Sequence, residues 1–96
     1  MIRQRTVTSL RKIASTLGKV AEGSEWHLFG SVDQDDPNAA DIDLMILSKD
    51  DGQSDALRRA IDPDILSLPL HLSFMTFDEA NAIDAVCKQG SCRVFP

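Results

Sequence analysis

The chain lacks any apolar run approaching the roughly 20 residues of a membrane span. Its opening stretch, MIRQRTVTSLRKIASTLGKV, is basic with spaced rather than continuous apolar residues. It therefore has no hydrophobic region of the kind a secretory signal carries, and the expected location is the cytoplasm. Cysteine is scarce, with only Cys87 and Cys92. A zinc site takes about four ligands, and His27 and His71 stand in unrelated contexts. Both cysteines read as ordinary reduced thiols of a cytosolic protein. Positive charge is short too, at 10 Lys and Arg against 15 Asp and Glu, for a net charge of −5. That balance argues against a general nucleic-acid binder. Repeats, linkers and low-complexity tracts are absent. So are a Walker-type loop, a G-x-S-x-G elbow and an H-E-x-x-H motif, which leaves the reaction classes they mark unsupported.

What remains is one domain, residues 1–96, close to the size where folding alone is marginal. Its charge is unevenly placed. Arg3, Arg5, Arg11, Lys12 and Lys19 share residues 1–21 with no acid, while Asp33, Asp35, Asp36, Asp41 and Asp43 crowd the middle. The basic end reads as a solvated helix face, with a partner- or polyanion-facing surface as the alternative.

Val7, Leu10, Ile13, Ala14, Leu17, Val20 and Ala21 recur at three- and four-residue steps, which predicts an amphipathic helix from about residue 4 to 22. Gly23 stands where its end is expected. EWHLFG reads as a short strand containing Trp26 and His27, both taken as packing residues. SVDQDDPNAA is polar, contains Pro37 and Asn38, and reads as a loop opening on one helical turn. DIDLMIL is apolar beyond its acids, as a central strand covered on both faces would be. After a turn at SKDDGQ, SDALRRAID predicts a short helix with Ser54 as its N-cap. LSLPLHLSFMTF alternates, with Leu68, Leu70, Leu72 and Phe74 on one face and Pro69, His71, Ser73 and Met75 on the other. Pro69 belongs at the strand's start or on an edge. DEANAIDAVCKQG predicts a helix with Asp78 and Glu79 in its first turn and Gly90 at its end. CRVF adds a last short strand. The fold class is α/β (α+β), a small mixed sheet with helices packed on it.

A charge inside an apolar strand is costly unless something pairs with it, and DIDLMIL carries two. Side chains alternate along a strand, so Asp41 and Asp43 share one face while Ile42 and Leu44 enter the core. Their Cα atoms stand roughly 6.6 Å apart. Two carboxylates over that span can bracket one or two divalent ions, and Mg²⁺ favours such oxygen ligands together with substrate phosphates. Gly30-Ser31 closes the preceding strand, where a glycine lets backbone approach a phosphate closely. The duller reading has the two acids capping a turn and pairing with Arg58 or Arg59, either of which could instead reach a triphosphate.

Gly-Ser, nine residues, then D-I-D-L on a strand resembles the signature of the DNA polymerase beta-like nucleotidyltransferase superfamily. Over about residues 4–77 the chain is similar to its smallest members, the minimal nucleotidyltransferases. The resemblance implies that Gly30 and Ser31 hold the phosphates of an NTP such as ATP. It implies that Asp41 and Asp43 bind Mg²⁺, as one ion or two, and act as the catalytic acids. The implied reaction moves a nucleoside monophosphate from the NTP to a hydroxyl, releasing pyrophosphate. Minimal members often serve as antitoxins paired with a helical HEPN-type ribonuclease toxin, which is the implied protein partner. The family usually carries a third acid on the next strand, where this chain offers His71 and Ser73. Asp62 and Asp64 could fill the role only if that strand began earlier. The alternative function is therefore a catalytically inactive module that keeps the fold and binds a partner protein.

Overall fold

The computed structural model describes residues 2–66, 68–84 and 92–96. Helix α1 (Ile2–Leu17) forms because Thr6, Val7, Leu10 and Ala14 fall on one stripe and are buried along it. The expected continuation to residue 22 does not occur. Gly18 adopts a left-handed φ of 57°, which ends the α-helix. A single 3₁₀ turn, Gly18–Val20, follows. Ala21 beyond it is fully buried, so the apolar spacing outlasts the helix.

Strands β1 (Glu25–Phe29), β2 (Ile42–Ser48), β3 (Leu70–Thr76) and β4 (Cys92–Phe95) form one sheet in the order β3-β2-β1-β4. A four-residue helical turn, α2 (Gly30–Asp33), follows β1, as expected at the head of the polar loop. β1 is antiparallel to β2 and β4, whereas β2 and β3 run parallel and are joined through α3 (Asp51–Ala60). The sheet is mixed. Pro69 lies just before β3, an edge strand, where its missing N–H costs no ladder bond.

Helix α3 begins earlier than its sequence predicts. Asp50, not Ser54, is the N-cap, its side chain accepting a 2.8 Å hydrogen bond from the Gln53 amide. Ser54 lies inside the helix, buried, with its hydroxyl bonded to that of Ser48 at the end of β2. Two good capping residues four positions apart compete, and the earlier one adds a turn. Helix α4 (Phe77–Ile83) starts with a capping box between Thr76 and Glu79. Its C-cap is Asp84, which takes a left-handed φ of 54°. Gly90 and Cys87 lie outside the described residues.

The sheet buries residues on both faces, as the near-continuous apolar run of β2 requires. On one face Trp26, Leu28, Leu44 and Ile46 pack with Leu10 and Ala14 of α1 and Leu57 of α3. On the other, Met45 and Leu47 pack with Ala80 of α4, flanked by Phe29, Met75 and Phe77. Trp26 is fully buried, edge-on to Phe95, with its indole N–H donating to the Ser24 hydroxyl. That makes it a core residue and not a stacking platform. Among the described residues no helix is long and apolar enough to cross a membrane.

His27 is 5% exposed, and neither ring nitrogen has a hydrogen-bond partner. Its Nε2 stands 3.9 Å from Glu25 Oε2, and Glu25 is itself paired with Arg93 at 2.7 Å. Burial lowers the His27 pKa, opposed by the Glu25 charge and reinforced by Arg93. The unfolded chain then binds the proton more readily than the fold. Stability is expected to be full above the ordinary histidine value of about 6.5 and to fall as pH drops below it towards the lower native value. Urea unfolding of wild type and His27→Phe at a series of pH values checks this. The variant should lose that slope, and an unchanged slope would assign it to another group.

Candidate metal centre

The site is assembled where β2 enters the sheet. The Ile42 amide donates to the Pro69 carbonyl at 2.9 Å, which fixes the start of β2 against the start of β3. Ile42 and Leu44 point into the core, so Asp43 points the other way, as the alternation predicts. Asp41 lies at the bend just before the strand. The parallel register sets Asp43 level with His71 of β3. The imidazole Nδ1 then stands 3.6 Å from Asp41 Oδ2 and 3.7 Å from Asp43 Oδ1. One ligand atom from each of the three residues lies within 4.8 Å of the others. Of the two residues offered for a third position, His71 is the one that clusters with the acids.

Ser73 shares that face but sits level with Met45, two residues further along the strand, so the register does not bring it beside the acids. Asp62 and Asp64 are not in the strand. They form a turn in which Asp62 Oδ1 accepts the Asp64 amide. Arg58 pairs with Asp55 and lies over the Phe74 ring, which belongs to the sheet face opposite Asp43. Arg58 therefore does not neutralise Asp41 and Asp43, and among the described ion pairs neither does Arg59. The other middle acids serve the loop. Arg3 bonds Asp33 through its Nε, at 3.1 Å, and Asp35 through its backbone amide. Asp36 accepts from Asn38. A basic residue of the N-terminal stretch is thus a tether for the loop.

Gly30 has φ +77°, and a Cβ built on it would strike the Asp43 carboxylate at Oδ2. The glycine does more than allow the left-handed turn: it leaves room for the acid. Sequence reasoning missed this contact, because nothing local to Gly30 announces a residue thirteen positions away. Ser31, half-buried, opens α2, and its carbonyl accepts the Asp36 amide. Gly30, Asp43 and His71 therefore come together at one end of the sheet, with Ser31 next to Gly30 in the chain.

The only ion pairs of Asp41 and Asp43 among the described residues are those with His71. Desolvation raises the Asp43 pKa, with the neighbouring charge of Asp41 adding to it and His71 opposing. Two carboxylates short of positive charge, with a ring nitrogen facing both, are three donors that can hold one divalent cation and leave its remaining positions open. Two cavities among the described residues are lined without Asp41, Asp43 or His71. Cavities of about 320 and 360 Å³ adjoin along α1 and the 61–68 segment, sharing Ser9, Ile65 and Leu66. Comparison of the chain with protein-family models, characterised proteins and solved structures found no match.

The collision at Gly30 has a measurable signature. Gly30→Ala is expected to destabilise the fold by about 1–3 kcal/mol through its left-handed backbone and the contact with Asp43. In an Asp43→Ala background the collision partner is gone, so the same change should cost less, with a coupling of about 0.5–3 kcal/mol. Denaturant unfolding of the four proteins measures it. Strictly additive penalties would show that the two residues do not compete for space.

Proposed function

We propose that this domain is a divalent-cation-dependent nucleotidyltransferase that moves a nucleoside monophosphate, AMP in the first instance, from an NTP to a hydroxyl. The observation that carries the reading is the convergence of Asp41, Asp43 and His71 beside the bare Cα of Gly30. The residues fit the cation the resemblance implies, Mg²⁺, through two carboxylates that leave coordination positions for phosphate oxygens. Such a cation, when bound, supplies charge stabilisation to the reacting phosphoryl group and the departing pyrophosphate.

The protein's own part is positioning. Asp41 and Asp43 present their oxygens on one face because Ile42 between them is anchored to Pro69. Gly30 lets the Asp43 carboxylate pack against its Cα, and the amide and hydroxyl of Ser31 next to it are the groups assigned to a phosphate. The acceptor oxygen attacks the α-phosphorus, the bond to the bridging oxygen breaks and pyrophosphate leaves. The acceptor's proton needs a base at the site. Asp41 and Asp43 are the carboxylates nearest to take it. The raised proton affinity of Asp43, partly desolvated and facing Asp41, belongs to the metal-free site.

One observation favours the second reading, an inactive module that binds a partner protein. The third position carries an exposed imidazole in place of a carboxylate, while the apolar groove along α1 offers a surface of Ile13, Leu17, Ile61 and Ile65. A helical HEPN-type toxin, with this chain as its antitoxin, is the partner the resemblance implies under either reading.

Calorimetry of ATP with a divalent cation separates the readings. Binding is expected for the wild type and should be lost in the Asp41→Asn, Asp43→Asn double variant. Labelled-ATP transfer to a helical partner should disappear with it. A folded double variant that binds ATP as well as the wild type overturns the assignment. Binding that needs the two acids but never leads to transfer supports the inactive module.

A further inference from the structure

We propose that His71 makes this centre selective for first-row transition dications that accept imidazole, with Co²⁺ and Zn²⁺ as its probes, over Mg²⁺. The inference rests on Asp41 and Asp43 forming a metal site, and it assigns His71 as their third ligand.

The ring is placed for the task by backbone register, since Asp43 and His71 are level on parallel strands. Nδ1 faces the two acids, at 3.6 Å from Asp41 Oδ2 and 3.7 Å from Asp43 Oδ1. Bonds of about 2.1 Å to a shared ion put neighbouring ligand atoms about 3.0 Å apart in octahedral geometry and about 3.4 Å apart in tetrahedral geometry. The two histidine pairs reach that range by a movement of a few tenths of an ångström, within a set whose three ligand atoms lie within 4.8 Å of one another. The His71 side chain is 64% exposed and can make it. Neither distance is that of a hydrogen bond, so the ring gives up little on turning to a metal.

The donor set decides the class of ion. Mg²⁺ is hard, seeks oxygen and keeps its waters. Imidazole suits Zn²⁺ and its neighbours in the row, and nitrogen ligation widens their lead over Mg²⁺. A carboxylate in place of His71 would give three oxygens and narrow it. No cation among the described ion pairs competes for the acids.

The test is titration of the nucleotide-free protein with Co²⁺, Zn²⁺ and Mg²⁺, followed by calorimetry and by the visible absorption of bound Co²⁺. Wild type, His71→Ala and His71→Asp are compared. Because the side chain is largely exposed, all three should share one circular dichroism spectrum in metal-free buffer, with the unfolding midpoint of His71→Asp lowered by repulsion from Asp41 and Asp43. His71→Ala is expected to weaken Co²⁺ and Zn²⁺ by on the order of tenfold or more while leaving Mg²⁺ nearly unchanged. His71→Asp should tighten Mg²⁺ and shift the Co²⁺ spectrum towards all-oxygen ligation. Equal loss of all three ions in His71→Ala would overturn the selectivity, and an unaltered Co²⁺ spectrum would overturn the ligand assignment. Failure of the nucleotidyltransferase reading looks different. There, Co²⁺ binds through His71 as described and ATP is neither bound nor consumed with any of the ions.

Discussion

Parallel strands cannot be joined by a tight turn, so pairing β2 with β3 obliges the chain to cross one face of the sheet. Helix α3 is that crossover, and the position of every other element follows from it. With α1 and α3 on one face, β2 is covered there and must be apolar on that side. Met45 and Leu47 then need cover on the other face, which α4 supplies. The same pairing brings the first residues of β2 and β3 level. Asp43 and His71 meet only because Ile42 is bonded to Pro69 and the ladder runs on in phase. A one-residue slip would turn His71 to the core and Leu70 or Leu72 to the acids.

Against that scaffold the acid pair stands out as an uncompensated charge. Evolved folds tolerate such strain where ligands bind, and usually at some cost in stability. The contrast with the loop is instructive. Asp33 and Asp35 are bonded by Arg3, and Asp36 closes its own turn. Five acids that look alike in the sequence thus divide into three that hold the backbone and two that face one another with only an imidazole between them. Composition cannot make that division, since it depends on which end of α1 the loop reaches.

Periodicity made much of the fold legible. The alternation in LPLHLSFM correctly separates Leu70 and Leu72 from His71, and the apolar run of DIDLMIL correctly implies a central strand. Pro69 correctly marks an edge. Helix ends were harder, because competing local solutions differ by little. Gly18 stops a helix whose apolar spacing continues to Ala21, and Asp50 caps α3 four residues ahead of an equally suitable serine. At the site, strand alternation places Asp43 opposite Ile42 and Leu44, while Asp41, expected on the strand, lies at the bend before it and still faces His71. The level pairing of His71 with Asp43, in preference to Ser73, needs the register of two strands separated by a helix. The fit of Gly30 against Asp43 needs the return of the chain after the whole acidic loop. Neither is written in any local window.

The alternation of β2 also bears on whether catalysis and partner binding exclude each other. Ile42 lines the groove beside α1, while its neighbours Asp41 and Asp43 face the metal position across the strand. A protein seated in that groove would touch the chain through Ile2, Arg5, Ile65 and Leu68, on the side of the sheet away from His71. It would leave the acids open to solvent and nucleotide. Its pressure on Ile42 would nevertheless act on the residue whose amide anchors the acid pair to Pro69. Under the proposed function, back-to-back placement across a single residue would let one small domain hold a partner and a metal-bound nucleotide together. The two readings differ in whether phosphoryl chemistry follows, and not in the surfaces they require.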